Sequence, residues 1–203
     1  RKADAMTTDD EAILARAREI IGIEAQALEA TAARLGAGFA DLVRAVLENP
    51  GKVLTTGVGK SGIVAKKMAA TLSSTGTPSF YLNPVNALHG DLGIAGQGDF
   101  LIALSNSGET QEILDLVQTA KTLGIAAAAF TGVEGSTLWN LADFPVDVGV
   151  EREACPLGLA PTASTTACLA TGDALALILM EARGFSSVDF RKFHPGGRLV
   201  GVP

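Results

Sequence analysis

The 203-residue chain is 47% hydrophobic, which is enough apolar material for one well-buried core. Its formal charge of −6 and its pI near 4.9 argue against nucleic acid or an anionic membrane as a partner, because either needs a basic field. If such an acidic protein binds an anionic small molecule, it must do so through local donors.

The cysteines and the apolar stretches indicate the compartment. Cys155 and Cys168 form neither a CxxC pair nor a zinc-spaced set with histidines, so we expect reduced thiols. Residues 1–10 are polar, lack the apolar core of a signal peptide and are predicted to be a flexible segment. The longest apolar stretches, residues 125–130 and 174–180, are far shorter than the ~20 residues that cross a bilayer. The sequence therefore predicts a cytoplasmic protein without a membrane partner.

The N-terminal part of the chain predicts two helices. Between residues 12 and 35 the apolar side chains recur at helical spacing, and Gly36 and Gly38 end the pattern. Residues 39–47 predict a second helix, which the turn at residues 49–51 (NPG) stops.

From residue 53 onward, short apolar runs alternate with helical segments. The predicted strands are residues 53–56, 79–82, 100–104, 126–130 and 144–148, and the predicted helices are residues 61–74, 109–123 and 164–180. Strands that are apolar throughout, alternating with helices, indicate a parallel sheet covered on both faces. Such α/β sandwiches place their site beyond the carboxyl ends of the strands. We predict a single domain over residues 11–203.

The first loop at a strand end is rich in glycine and reads GVGKSG over residues 57–62. A P-loop would need another glycine where Leu54 stands. The dinucleotide-binding fingerprint fits Gly57, Gly59 and Gly62, but it lacks an acid after the next strand, where Asn83 stands. We favour a glycine turn whose backbone N–H groups, with the Lys60 ammonium, approach a smaller anion.

The second loop carries three hydroxyls and reads SNSGET over residues 105–110. Hydroxyls beside the free N–H groups of a helix start make a cradle for a phosphate dianion, which the helix dipole favours. Helix capping by Ser107 is the simpler alternative, but capping needs only one hydroxyl. The loop therefore favours an anion site.

Six motifs in the same order resemble the sugar isomerase (SIS) domain, and within it the arabinose-5-phosphate isomerases. They are residues 57–62 (GVGKSG), 74–78 (STGTP), 89–93 (HGDLG), 105–110 (SNSGET), 153–161 (EACPLGLAP) and 194–197 (HPGG). The resemblance runs from about residue 11 to residue 198. It implies a three-layer sandwich around a five-stranded parallel sheet, of Rossmann-like type. It also implies a homotetramer that converts D-ribulose 5-phosphate to D-arabinose 5-phosphate, the precursor of the lipopolysaccharide sugar Kdo.

The resemblance also implies the site residues. The residues that match the family's catalytic set are Lys60, Glu112, Glu153 and His194. The residues expected to bind substrate are Ser61, Gly76, Thr77, His89, Ser105, Ser107 and Thr110. Family members often continue into a pair of CBS modules, whereas this sequence stops at Pro203, as either a naturally short enzyme or a shortened chain. Where the family can have a histidine linked to inhibitory zinc, Asn83 stands, so tight zinc binding is not expected.

The chemistry of aldose–ketose isomerisation fits these residue types. A proton moves between adjacent carbons through a cis-enediol, which needs a nearby base and a donor for the developing oxygen charge. Glutamates and histidines supply the proton transfers and Lys60 the positive charge, so no metal or organic cofactor is expected. Burial under the apolar segment 155–161 is expected to raise the pKa of Glu153. Alternatively, Glu112 is a favourable charge at a helix start, and Glu153 belongs to an exposed charged run.

Two other functions stay open from the sequence. One is an isomerase of the same fold that acts on a hexose or heptose phosphate. The other is a non-catalytic sugar-phosphate sensor, which would need a DNA-binding module, and the N-terminal helices contain no basic recognition helix. Fold alone does not separate these functions, because function belongs to the site.

Two of the predicted helices indicate that the chain forms an oligomer. Residues 164–180 are apolar nearly all round, with charge only at Asp173, so this helix must be buried on most sides. The helix at residues 12–35 is longer than a domain of this size needs. Both favour a homotetramer, in which His89 or His194 reaches a neighbour's pocket.

Overall fold

The computed structural model describes residues 9–194, and its strands and helices alternate after two N-terminal helices. The helices are α1 (Asp10–Arg34), α2 (Ala37–Glu48), α3 (Gly59–Ser74), α4 (Pro84–Leu88), α5 (Gln111–Thr122), α6 (Thr137–Leu141), α7 (Ala163–Ala182) and α8 (Ser187–Phe193), with a 3₁₀ turn at Asp91–Ile94. The strands are β1 (Val53–Gly57), β2 (Ser79–Tyr81), β3 (Phe100–Leu104), β4 (Ala126–Thr131) and β5 (Phe144–Asp147). Most of the segment 1–10, and residues 195–197 of the histidine motif, lie outside the described residues.

The five strands form one parallel sheet in the order β2-β1-β3-β4-β5. The direction in which strands are added reverses at β1. The chain first places β2 on one side of β1 and then places β3, β4 and β5 in order on its other side. Because every neighbouring pair is parallel, all five strands end at the same edge of the sheet. The loops that follow the strands therefore meet at that edge, and the predicted α/β sandwich around a five-stranded parallel sheet is confirmed.

Each face of the sheet has its own apolar core. Phe100, Ile102 and Leu104 of β3 pack with residues of α2, α3 and α7, whereas Leu101 and Ala103 pack with residues of α4, α5 and α6. All five residues are at most 1% exposed. Burial on both faces explains why the strands are apolar throughout and do not alternate.

The apolar helix α7 is a core helix that packs against α1, α2 and α3. By length and composition alone it could cross a membrane, but 50% of its most apolar window is buried within the chain. Its outward side keeps Leu177 and Ile178 exposed, at 46% and 40%. Along α1, only Ile23, Ala27 and Thr31 are buried.

The structure differs from the sequence prediction mainly in its short helices. The helices α4, α6 and α8 and the 3₁₀ turn are too short to show an apolar period and were not predicted. The long helices begin up to two residues before the predicted starts, except α5, which begins two residues later, at Gln111. Such shifts are ordinary at helix ends.

Candidate active site

A cavity of about 360 Å³ lies at the carboxyl edge of the sheet, where polar side chains from three parts of the chain converge. Its walls come from the start of α3, the loop after β3 and the start of α7. The lining residues include Lys60, Ser61, Ser105, Asn106, Ser107, Thr110, Ser164 and Thr165. Five predicted site residues are thus brought together: Lys60, Ser61, Ser105, Ser107 and Thr110.

The first wall is the turn between β1 and α3, which requires two glycines. A Cβ at Gly57 would lie 2.7 Å from the Ser61 carbonyl carbon, and a Cβ at Gly62 would lie 2.7 Å from the Gly57 oxygen. This close approach lets α3 begin directly over the strand end, with Lys60 and Ser61 in its first turn. Lys60 is exposed, and no carboxylate of a described residue lies within ion-pairing distance of its ammonium. Its positive charge is therefore available to a ligand.

The second wall is the loop at residues 105–110, whose hydroxyls hold its shape. Ser105 Oγ lies 2.9 Å from Thr110 Oγ1 and accepts a hydrogen bond from Gly108 N at 3.2 Å. Ser107 Oγ accepts one from Glu109 N at 3.2 Å. Thr110 is the N-cap of α5, but its side chain makes no capping hydrogen bond. The start of α5 therefore keeps N–H groups that an anion can use.

Gly108 fixes this loop against the next one. Its φ of +69° is in the left-handed region, and a Cβ there would overlap with Ser136 Oγ. The Gly108 carbonyl accepts a hydrogen bond from Leu138 N at 3.0 Å. The loop therefore rests on the start of α6, which holds it at the cavity.

The third wall is the start of α7, which a distant carboxylate caps. Glu153 Oε2 accepts hydrogen bonds from Thr162 N at 2.7 Å, Thr162 Oγ1 at 2.9 Å and Ser164 N at 3.3 Å. Thr162 Oγ1 in turn accepts one from Ala154 N at 2.9 Å. Glu153 does not itself line the cavity, but its partner Ser164 does, as do Pro161 and Thr165 beside these partners in the chain.

The prediction that the pKa of Glu153 is raised is wrong. Burial does raise the pKa of this carboxyl, but the polar groups of Ser164 and Thr162 lower it by more, and its pKa ends below the usual range. The segment 155–161 does not cover it either, since Leu157 and Leu159 are 74% and 80% exposed. Glu153 is therefore ionised at neutral pH and suited to accept a proton.

The floor of the cavity is apolar. It is formed by Val64, Leu104, Phe130, Val148 and Cys168. Burial raises the pKa of the Cys168 thiol to about 12, so Cys168 acts there as a small apolar residue. A ligand therefore meets donors on three sides and an apolar surface below.

Two predicted site residues lie outside the cavity on the same edge of the sheet. Glu112 is in the first turn of α5 and is exposed. His89 ends α4, which follows β2, and is also exposed.

Gly76 and Thr77 lie at the opposite edge of the sheet. The helix α3 carries the chain from the end of β1 back to the start of β2, and these residues stand in the turn between them. Gly76 has a φ of +92° and packs so closely on the ring of Phe185 that no Cβ fits. Thr77 is 1% exposed, and its Oγ1 has no hydrogen-bond partner among residues 9–194.

His194 lies at this opposite edge as well. The helix α7 begins at the cavity and spans about 30 Å, so the chain after it is far from Lys60. Phe193 stacks on Phe185 at 5.9 Å, and His194 stacks on Phe190 at 3.9 Å. One copy of the chain thus holds Gly76, Thr77 and His194 apart from the cavity.

The described residues contain no group of three His, Cys, Asp or Glu side chains that could hold a metal ion. Asn83 is the N-cap residue of α4. Its Oδ1 accepts hydrogen bonds from Val85 N at 3.0 Å and Asn86 N at 3.1 Å.

Sequence reasoning missed Ser164 and Thr165 as wall residues, because they were seen only as the start of an apolar helix. The signal that could have found them is the hydroxyl-rich run Thr162-Ala163-Ser164-Thr165-Thr166, which stands at the start of a helix.

Comparisons with known proteins identify the family. The model of the SIS domain matches residues 46–178. An arabinose 5-phosphate isomerase KdsD of Pseudomonas aeruginosa is 49% identical over 90% of this chain and 56% of its own length. The arabinose 5-phosphate isomerase GutQ of Escherichia coli is 44% identical over 93% of this chain and 59% of its own length. This chain therefore spans little more than half the length of these curated relatives.

A solved structure has the same fold throughout. It is that of an Escherichia coli CFT073 protein in complex with A5P, which superposes with a TM-score of 0.89 at 40% identity. The superposition covers 93% of this chain and 100% of the other.

Proposed function

Because this chain belongs to the SIS-domain family, we propose that it is an aldose–ketose isomerase that interconverts D-ribulose 5-phosphate and D-arabinose 5-phosphate. The observation that carries the proposal is the cavity itself. It combines a free lysine and a hydroxyl-bearing helix start in a chain whose relatives are arabinose 5-phosphate isomerases. A volume of about 360 Å³ is within the usual size of a small-molecule site.

The phosphate of the substrate binds at the loop 105–110. The start of α5 supplies N–H groups and the favourable end of a helix dipole, and Ser105, Ser107 and Thr110 supply hydroxyls. Lys60 and Ser61 face this loop across the cavity and complete the polar surroundings. The protein as a whole is acidic, so these local donors supply the attraction.

Glu153 caps the α7 wall of the cavity, and we assign to it the role of the base that moves the proton between the two reacting carbons. Its lowered pKa keeps it ionised at neutral pH, and its Oε1 makes no hydrogen bond to a described residue, so one oxygen is anchored and the other is free. Lys60 stabilises the charge that develops on the substrate oxygen. Glu112 and His194 assist the hydroxyl proton transfers.

A homotetramer completes the site. Within one chain, Gly76, Thr77 and His194 are at the opposite edge of the sheet from Lys60. Because Thr77 is buried in its own chain, His194 is the side chain of this group that can join the cavity, and it can do so only from another subunit. Exposed apolar side chains on α1 and α7, such as Ile21 and Leu177, supply surface for such contacts. His89, which is exposed at the same edge of the sheet as the cavity, contacts substrate within the tetramer.

We place the activity in the cytoplasm, where arabinose 5-phosphate is the precursor of Kdo for lipopolysaccharide synthesis. An isomerase assay of the purified protein tests the function. Arabinose 5-phosphate should be converted to ribulose 5-phosphate at a kcat/KM at least ten times that for ribose 5-phosphate or glucose 6-phosphate. Lys60→Met is the inactive control. Preference for either of the other sugars, or activity that survives in Lys60→Met, would contradict the proposal.

A further inference from the structure

The turn that precedes α7 holds the Glu153 carboxylate through the hydroxyl of Thr162. Thr162 Oγ1 hydrogen-bonds the Glu153 carboxylate at 2.9 Å. The same oxygen accepts a hydrogen bond from Ala154 N, also at 2.9 Å. Because this N–H can only donate, the Thr162 hydroxyl must direct its own proton to Glu153 Oε2.

The two hydrogen bonds close an eight-residue loop, residues 154–161, at its base. Residues 154–161 leave the core after Glu153 and return at Thr162, and the tip of this loop is exposed. Thr162 N–H adds a second bond to the same oxygen, at 2.7 Å. Residue 162 therefore holds one carboxylate oxygen through both its backbone and its side chain, and leaves Oε1 free.

We propose that Thr162 is the positioning residue for Glu153, since its hydroxyl fixes the rotation of the carboxylate and leaves the second oxygen free for the proton transfer. This inference rests on the proposed isomerase function. The hydroxyl has a second effect, because a donor to the ionised form of a carboxyl lowers its pKa. Thr162 thus helps to keep Glu153 ionised at the start of α7.

No charged group competes for this role. The titratable groups beside Glu153 in the chain are Glu151, Arg152 and Cys155, and those on α7, whose start Glu153 caps, are Cys168, Asp173 and Glu181. None of them is a hydrogen-bond or ion-pair partner of Glu153. The donors at residues 162 and 164 therefore set its ionisation.

The test compares Thr162→Val with Thr162→Ser in the full chain. Valine keeps the shape but removes the hydroxyl, so we expect kcat to fall about tenfold or more while KM changes little. The pKa of Glu153 should rise in the folded enzyme. Since the base works only when ionised, the acid limb of the profile of kcat against pH should move upward by about one unit. Serine restores the donor and should return both values toward those of the wild type.

A matched control is Thr166→Val, which lies on the same helix outside the cavity. Its hydroxyl also donates to a glutamate, Glu24 Oε2, at 2.9 Å. Thr166→Val should lower the free energy of unfolding about as much as Thr162→Val does. It should not move the acid limb of the profile of kcat against pH. An unshifted acid limb in Thr162→Val, or no rescue by serine, would overturn the role of Thr162. If Glu153→Gln keeps full activity, the proposed role of Glu153 fails instead, so the two failures are distinguishable.

Discussion

Ser107 carries the most exposed hydroxyl of the 105–110 loop, whereas Ser105 is buried and Thr110 is half-buried. Its Oγ accepts a hydrogen bond from Glu109 N, which leaves its proton free for a phosphate oxygen. We expect Ser107→Ala to weaken binding of the sugar phosphate about tenfold or more, because one hydrogen bond to a charged group is lost. Calorimetric titration with arabinose 5-phosphate measures this loss.

Thr122→Val is the control for Ser107, because its hydroxyl bonds Thr119 O at the far end of the same helix. It should bind like the wild type. Equal affinity of Ser107→Ala and the wild type would rule out this loop as the phosphate anchor.

Asn83 has its side-chain oxygen committed to two backbone N–H groups, and an amide is a poor zinc ligand compared with imidazole. We therefore expect added zinc to inhibit weakly and exhaustive chelation to leave the activity intact. Asn83→His should lower the zinc concentration for half inhibition about tenfold or more. Activity that chelation abolishes, and that a divalent ion restores, would contradict the metal-free mechanism.

At the scale of elements, the long helices and all five strands could be predicted because each carries its own signal. The strand Phe100–Leu104 is a continuous apolar run, and glycines bound the weakly strand-forming Ala126–Thr131. The short helix α8 had only a local signal, the capping box of Ser186 and Asp189. Five to seven residues do not complete two helical turns, so no apolar period can show them.

The candidate site was predictable only in part, for a related reason. Parallel strands end at one edge, so the loops that hold Lys60 and Ser107 could be expected to meet. The sequence does not show that α7 runs back alongside α3, since this depends on contacts such as that of Gly172 with Met68. The position of His194 at the far edge follows from that packing and was not predicted.

The junction of β1 and α3 gives a prediction at this scale. A Cβ at Gly57 meets backbone atoms of Ser61 and Gly62, at 2.7 Å and 2.9 Å, and backbone cannot move aside cheaply. We expect Gly57→Ala to lower the free energy of unfolding by about 1–3 kcal/mol and to lower kcat/KM, because Lys60 is displaced.

Gly22→Ala is the matched control for Gly57. Gly22 lies within α1 with nothing within 4 Å of the new Cβ, so the exchange should raise the free energy of unfolding by about 0.5–1 kcal/mol. Urea denaturation measures both changes. If both variants changed the free energy of unfolding in the same direction, the close approach of backbone atoms would not be the reason why residue 57 must be glycine.

At the scale of the whole molecule, the arrangement of the two edges gives the last prediction. Lys60 lines the cavity at one edge of the sheet, where α7 begins, and His194 comes after the far end of α7. We expect a tetramer of the 20.8 kDa chain at micromolar concentration, by light scattering. A site that takes Lys60 from one subunit and His194 from another also predicts complementation between two inactive variants.

The complementation experiment mixes Lys60→Met and His194→Ala chains after reversible dissociation. If each variant alone is inactive, a mixed tetramer contains some sites that take Lys60 from one kind of chain and His194 from the other. With equal amounts of the two chains and random assembly, about a quarter of the wild-type activity should return. A given site receives an intact Lys60 in about half of the cases and, independently, an intact His194 in about half. Mixing either variant with itself is the control. An active monomer, or mixed tetramers that stay inactive, would mean that each chain builds its site from its own residues.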